Sequence, residues 1–409
     1  MDDGIRQIPL DQLRVGMYVE DVFTSEGKLL LAANVTIKRQ SQIEQLRRQG
    51  IGSVRINAFG SPAERSQPAR AASAEEIVPE TTEPDIRETA YYEELPRAIE
   101  IRRVTFETAQ KVLSALRKGR SFTYQEVERS ATQVVESVMR NSDALVSLCQ
   151  IKGYDEYTYI HSVNVCILMA SLARSMGYRD EHLLHVGVGG LLHDIGKMRV
   201  PESVLNKPGK YTDWEFAVMK KHPLHGLDIV EGRKSVPETA RKTIALHHER
   251  AGGTGYPYGL RGKEIDEIGS IAAVADVYDA LTSDRVYRAA WTPQRALALI
   301  FQGCDREYSR DIVERFTRLL GVYPVGSFVR LKSGEMGVVV KVEPGRLLAP
   351  RVLVLFDRTG RRLDDPLTYD LFEKQKDNGG NRYDIEMSLN PKAFRIDVGE
   401  YLQQQAPIS

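Results

Sequence analysis

Histidine is missing from most of this 409-residue chain: all eight lie between His161 and His248. Packing offers no reason for that emptiness, whereas imidazole is the commonest side-chain ligand for iron, zinc, nickel and manganese, so the confinement implies chemistry gathered in one segment. No apolar run approaches the length needed to cross a bilayer, and no membrane span is expected. The opening MDDGIRQIPLDQL has neither the basic patch nor the apolar stretch of a secretory signal, so the expected location is cytoplasmic. Lys plus Arg and Asp plus Glu both number 56, which excludes a global basic field able to hold a nucleic acid polymer or anionic lipid. Any anion recognition is local. Cysteine is scarce as well: Cys149, Cys166 and Cys304 are an odd number with no Cys-x-x-Cys spacing, and they read as reduced packing residues.

What is present divides into four parts. Residues 1–59 set short alternating runs (Gly16-Met-Tyr-Val, Lys28-Leu-Leu-Leu-Ala, Ser53-Val-Arg-Ile-Asn) around a helix-like stretch at 37–48, and predict a small α+β module. Residues 60–94 are rich in Pro, Ala, Ser, Glu and Thr with few large apolar side chains, the composition of a flexible linker. Glu83, Asp85, Glu88 and Glu93 near its end read as a solvated acidic stretch. Residues 95–320 turn to a helical period, as in Val127, Ala131, Val134, Val135 and Val138, and predict a helical domain that makes the whole fold mainly α. Residues 321–409 carry β-branched runs (Gly326-Ser-Phe-Val-Arg-Leu, Gly337-Val-Val-Val-Lys-Val, Arg351-Val-Leu-Val-Leu-Phe) between turn residues, and predict a small, mostly β module.

The chemistry belongs to the helical part. His161 sits in YTYIHSVNVCILMASLARSMG, read as an amphipathic helix ended by Gly177. His193 and Asp194 follow the apolar run VGVGGLL and precede Ile195-Gly196-Lys197. His222 falls near the end of a helix expected to begin around Thr212, and His247-His248 close one that begins near Pro237. A last helix, IGSIAAVADVYDALTSDR, carries Asp276 on a face of small and apolar residues. A carboxylate buried there must be paired or bound to a cation, because a bare buried charge costs several kcal/mol or more. A lone helical histidine is more often a hydrogen-bonded core or surface residue than a ligand, and His182, His185 and His225 are read that way. For the other five with Asp194 and Asp276, that reading needs several independent coincidences. Seven donors also exceed the four of a tetrahedral zinc site, so two ions are the economical count.

From about 155 to 288 the chain resembles the HD-GYP phosphodiesterases, a branch of the HD metal-dependent phosphohydrolases. The likeness runs through YTYIHSVNV, LLHDIGK, VPESVLNKPGKYTDWEFAVMKKHP, HHERAGGTGYPYGLRGKEI and AAVADVYDALTSDRVYR. It implies a helical HD domain, a dinuclear or trinuclear centre most often of iron or manganese, and hydrolysis of cyclic di-GMP. Matched to the motifs, the metal ligands fall on His161, His193, Asp194, His222, His247, His248 and Asp276, with Asp194 as bridge. Lys197 takes a catalytic role with Asp194; Gly255, Tyr256 and Pro257 form the signature loop; Arg285 and Arg288 fall on basic phosphate contacts. Taken without the resemblance, 252–257 is a loop between helices and the arginines are solvated helix-end residues.

Two departures bear on function. Many relatives read His-His-Glu-x-x-Asp-Gly-x-Gly-Tyr-Pro, whereas the Asp position here is Gly252, an absence expected to loosen the loop. Members with a third metal carry a Glu where this chain has Tyr157, with Asp155 and Glu156 out of phase, so two divalent ions, iron or manganese, are expected. The start, Ile8-Pro-Leu-Asp-Gln-Leu-Arg-Val-Gly-Met-Tyr-Val, resembles a small N-terminal domain of uncertain role in several of these proteins, compatible with docking of signalling protein partners.

Two ions roughly 3.5 to 4 Å apart can lower the pKa of water and neutralise a phosphodiester. A fixed Lys197 ammonium can steady developing charge or protonate a leaving 3′ oxygen. Arg285 and Arg288, one helical turn apart, would share a face. The favoured reading is a cyclic di-GMP phosphodiesterase giving linear pGpG, with further cleavage to GMP left open. A non-catalytic cyclic dinucleotide receptor that recruits a partner, and an HD phosphohydrolase acting on another nucleotide, stay beside it, since a metal centre attacks phosphate without reading the base.

Overall fold

The computed structural model describes residues 5–14, 17–24, 29–37, 43, 46–47, 51–57, 89–150, 157–284, 288–343, 346–377 and 381–404. The chain divides into two units, Met1–Glu83 and Pro84–Ser409.

The first unit is built on strands β1 (Ile5–Pro9), β2 (Tyr18–Thr24), β3 (Leu29–Thr36) and β4 (Ile51–Asn57), paired antiparallel in the order β1-β4-β2-β3. Val54 and Ile56, two positions apart on β4, face a core with Ile8, Leu13, Val19, Ile37 and Ile43. Of the stretch expected to be helical, Ile43, Leu46 and Arg47 are helical and Ile37 is not.

The expected linker lies mostly outside the described residues, Glu83, Asp85 and Glu88 included, but its end is helix: α1 (Tyr91–Arg117) starts inside it. The reason is Glu94, fully buried, which accepts from Ser137 (2.7 Å) and from Arg140 Nε (2.7 Å) of α2 (Tyr124–Leu148). A part-buried, doubly bonded ion pair ties the first turn of α1 down.

Helix α3 (Tyr157–Ser175) is not amphipathic as its sequence implied: every residue from 161 to 173 is buried. It is the central helix of the domain, enclosed on all sides, and its small polar residues Ser162, Asn164 and Ser171 are inside with the rest. Around it stand α4 (Asp180–Leu192), α5 (Asp213–Met219), α6 (His222–Val230), α7 (Glu238–Leu246), α8 (Glu267–Thr282), α9 (Pro293–Gln302) and α10 (Arg310–Leu320). One apolar core runs from Leu95 on α1 through Ile167 on α3 and Val188 on α4 to Phe316 on α10.

Two helix ends differ from expectation. The segment after Thr212 forms two helices, so His222 opens α6 rather than closing α5; Pro223, lacking an N–H, is tolerated only in a first turn. Helix α8 ends at Thr282 with Ser283 extended, so Arg288 is not on it; Arg285, and with it the expected one-turn pairing, lies outside the described residues.

After α10 the chain forms β5 (Phe328–Leu331), β6 (Met336–Lys341), β7 (Arg351–Phe356), β8 (Arg362–Asp370) and β9 (Ile385–Leu389), an antiparallel sheet ordered β8-β7-β6-β5-β9. Apolar residues cover both of its faces, one around Phe328 and Val338, the other around Val329 and Val339. No helix among the described residues is long and apolar enough to cross a membrane.

Candidate metal centre

Five elements bring the seven donors together. His161 projects from α3, His193 and Asp194 follow α4, His222 opens α6, His247 and His248 follow α7, and Asp276 lies on α8. The turn after Asp194 fits only because of Gly196, where a Cβ would stand 1.8 Å from the His222 carbonyl oxygen. That backbone contact sets Asp194 opposite His222.

The donors form two groups, Asp194 with His222, His247 and His248, and His161 with His193 and Asp276, the atoms of each within 4.8 Å of one another. Asp194 faces both. Its Oδ1 lies 3.3 Å from His222 Nε2 and 3.6 Å from His247 Nε2, while its Oδ2 lies 3.2 Å from His193 Nε2 and 3.6 Å from His161 Nε2. Asp276 also reaches both groups, with Oδ1 3.1 Å from His161 Nε2 and Oδ2 3.7 Å from His248 Nδ1.

Whether these residues fit a cation is decided by their other nitrogens. His193 Nδ1 donates to Gly190 O (2.8 Å), His222 Nδ1 to Met219 O (2.8 Å) and His247 Nδ1 to Ile244 O (3.0 Å). A ring that donates through Nδ1 and is neutral carries a lone pair on Nε2. His222 and His247 point these Nε2 atoms at each other across 3.1 Å, with a carboxylate oxygen beside them. His193 Nε2 and Asp194 Oδ1 are buried without a hydrogen-bond partner. Acceptors converging without a donor between them repel, and a cation is what makes such an arrangement favourable. The donor set, nitrogen and oxygen with no thiolate, suits divalent transition ions.

The electrostatics agree. Burial works against ionisation of Asp194, but Lys197 and His193 outweigh it and hold the carboxyl well below its usual range; Asp276 is held low against burial by His161 and His248. Burial pushes His247 down to about 4 and drives His248 well below the ordinary imidazole value, so both are neutral donors near pH 7. His161 runs the other way: burial lowers it, but Asp276 and Asp279 together raise it to about 9. Lys197 Nζ lies 2.5 Å from Asp194 Oδ2, at the edge of the cluster.

Two participants escaped the sequence reading. Asp279, fully buried, accepts from His161 Nδ1 (2.8 Å) and from Asn164 Nδ2 (2.8 Å), so the i and i+3 pairs of α3 and α8 interlock. A carboxylate behind a ligand imidazole fixes its ring and raises its basicity. The available signal was a second acid one turn after Asp276 in the same apolar run. Glu249, directly after the histidine doublet, is 1% exposed and accepts from the backbone N–H groups of Tyr258 (2.7 Å), Gly259 (3.2 Å) and Leu260 (2.9 Å).

That carboxylate ties down the backbone after the signature loop. Gly252 has a contact of its own: its N–H donates to Arg306 O (2.7 Å), and a Cβ there would approach the same oxygen to 2.8 Å. Gly255 is equally constrained, since its Cβ would meet Arg250 N at 2.4 Å and Glu249 Cα at 2.5 Å. Tyr256 beside it donates its N–H to His248 O (3.2 Å) and lays its ring against His248, centroids 4.7 Å apart, with Pro257 following. Gly255→Ala is expected to lower stability by about 1–3 kcal/mol, the range for overpacking a filled contact, and thermal unfolding checks it; an unchanged midpoint would remove the close-approach account.

Arg288 is committed locally. Its Nη2 donates to the α8 carbonyls of Ala280 (2.6 Å) and Leu281 (3.3 Å), and its guanidinium lies 5.5 Å from the Trp291 ring centroid. His182 is exposed, while His185 and His225 are half-buried outside both donor groups, His185 pairing with Glu181 at 3.4 Å. The side chain of Tyr157, and Asp155 and Glu156, lie outside the described residues.

Residues 130–312 match the HD domain family, residues 5–127 a domain of unknown function, and residues 328–376 a KOW domain associated with HD domains. A cyclic di-GMP phosphodiesterase of Pseudomonas aeruginosa is 35% identical over 86% of this chain and 85% of its own length. The cyclic di-GMP phosphodiesterase response regulator RpfG of Xanthomonas campestris is 41% identical over 36% of this chain and 39% of its own. A 3′3′-cGAMP-specific phosphodiesterase of Vibrio cholerae is 34% identical over 40% of this chain and 32% of its own.

Proposed function

Because the chain belongs to the HD-GYP family of HD-domain phosphodiesterases, we propose that it hydrolyses cyclic di-GMP to linear pGpG at a pair of divalent cations, iron or manganese. The observation that carries the reading is Asp194, one oxygen turned to each of two groups of imidazole and carboxylate donors. When bound, two divalent cations supply Lewis acidity that neutralises the phosphodiester and makes water a nucleophile at neutral pH.

The chain's own residues do the rest. Asp194 and Asp276 hold the two groups at a fixed spacing, and Asp279 keeps the His161 ring turned into the centre. Lys197, hydrogen-bonded to Asp194 Oδ2, keeps an ammonium beside the reacting phosphate, where it steadies developing charge and gives a proton to the departing 3′ oxygen. Attack at phosphorus with loss of that oxygen leaves a 5′-phosphate. Gly255, Tyr256 and Pro257 form the lip of the pocket, and Arg285 takes a phosphate of the substrate. Arg288, bonded to the end of α8, positions the segment that carries Arg285.

The test is protein purified without oxygen, its metal counted, then incubated with a panel of cyclic dinucleotides whose products are separated by chromatography. Two iron or manganese ions per chain and conversion of cyclic di-GMP to pGpG are expected. One ion or none contradicts the dinuclear centre, binding without turnover selects the receptor reading, and preference for 3′3′-cGAMP moves the substrate.

A further inference from the structure

An aromatic side chain outside the donor set touches the centre through the signature loop. Phe216 on α5 is 45% exposed, and its ring stands nearly perpendicular to that of Tyr256, centroids 6.4 Å apart. Tyr256 in turn lies 4.7 Å from the His248 ring and 6.3 Å from that of His222. Lys220 puts its ammonium 5.0 Å from the Phe216 centroid, so this apolar surface is also positively charged.

The helix that carries Phe216 is held firmly. Thr212 and Glu215 form a reciprocal capping box, and Lys207 Nζ lies 2.5 Å from Glu215 Oε2. Met219 packs in a small core with Val200 and Val204, and its carbonyl accepts from the ligand histidine His222. Phe216 is therefore fixed relative to the donors by a few residues of rigid backbone. Trp214 is more exposed at 67%, but residues two apart on a helix point to different sides, and it is Phe216 that meets Tyr256.

Exposing half of a phenyl ring at the lip of a polar centre has no packing benefit, whereas aromatic rings beside a phosphate site are the usual platform for a nucleobase. We infer that Phe216 is a substrate-contacting, specificity-determining residue: a purine of the diester held at the metal centre stacks on its ring, with Lys220 beside it. The inference rests on the hydrolase reading above. It assigns Phe216 to recognition of the base and leaves cleavage of the phosphate to the donors and Lys197.

The experiment compares two substrates on metal-loaded full-length protein. Cyclic di-GMP carries a base at the distance of a nucleotide, whereas bis(p-nitrophenyl) phosphate carries rings bonded directly to its phosphate oxygens. Phe216→Ala is expected to raise KM for cyclic di-GMP about tenfold or more, the scale of one lost base stack, with metal content and kcat/KM for the base-free diester within about twofold of wild type. Phe216→Trp is expected to restore the wild-type KM. Equal losses on both substrates, or an unchanged KM for cyclic di-GMP, overturn the role of Phe216. If wild-type protein cleaves the base-free diester and leaves cyclic di-GMP intact, the substrate reading fails instead, and this inference with it.

Discussion

Asp194→Ala is expected to lower hydrolysis of cyclic di-GMP by at least about 10³-fold, beyond the loss of a single electrostatic stabiliser, and to lower bound metal from two ions per chain to one or none. The reason is geometric. The four Nε2 atoms of His161, His193, His222 and His247 stand 3.2–3.6 Å from its two oxygens, and no other described carboxylate faces all of them. Without it, the donor group of His222, His247 and His248 has no anion of its own with which to hold a divalent cation. Elemental analysis and chromatography of the products check both effects, and circular dichroism separates them from unfolding. A variant that keeps two ions and turnover within about tenfold of wild type would falsify the bridging role.

Lys197→Ala separates proton and charge chemistry from metal binding. Lysine that is protonated offers no lone pair, so this variant is expected to keep both ions while turnover falls by about 10²–10⁴-fold, the range for a positioned general acid. The backbone around it has its own supports. The Lys197 N–H donates to Asp194 O (2.9 Å), and Arg117 of α1 donates to Val200 O (2.7 Å), so truncating the side chain leaves the turn in place. Rapid-quench turnover alongside metal analysis is the measurement. Loss of metal would make Lys197 structural, and an unchanged rate would remove it from the reaction.

How far the fold was legible varied with the kind of signal. The strands β6 and β7 showed as β-branched runs because both their faces are covered. β8 did not, since Asp364, Asp365 and Pro366 mark a solvated edge where proline loses no ladder bond, and β9 is a short strand with exposed positions. α3 reads as amphipathic along the sequence, where Ser162, Asn164 and Ser171 interrupt the apolar residues. In the fold they are buried, and Asn164 Nδ2 donates to Asp279 of α8, 115 positions away. The break before His222 was written in Pro223, yet helical period alone ran across it.

The identities of the donors were in the sequence by itself: a metal ligand must be a particular chemical group, and this chain keeps its imidazoles in one segment with acids at Asp194 and Asp276. Partition was not. Which donors face each other, the two-sided position of Asp194, the carboxylate of Asp279 behind His161 and the anchoring of the loop by Glu249 all depend on five elements meeting, some joined across 118 positions. Local sequence governs the turn a residue occupies and the group it presents; distances of 3 Å between separate helices are set by packing of the whole core, and only the folded chain decides them.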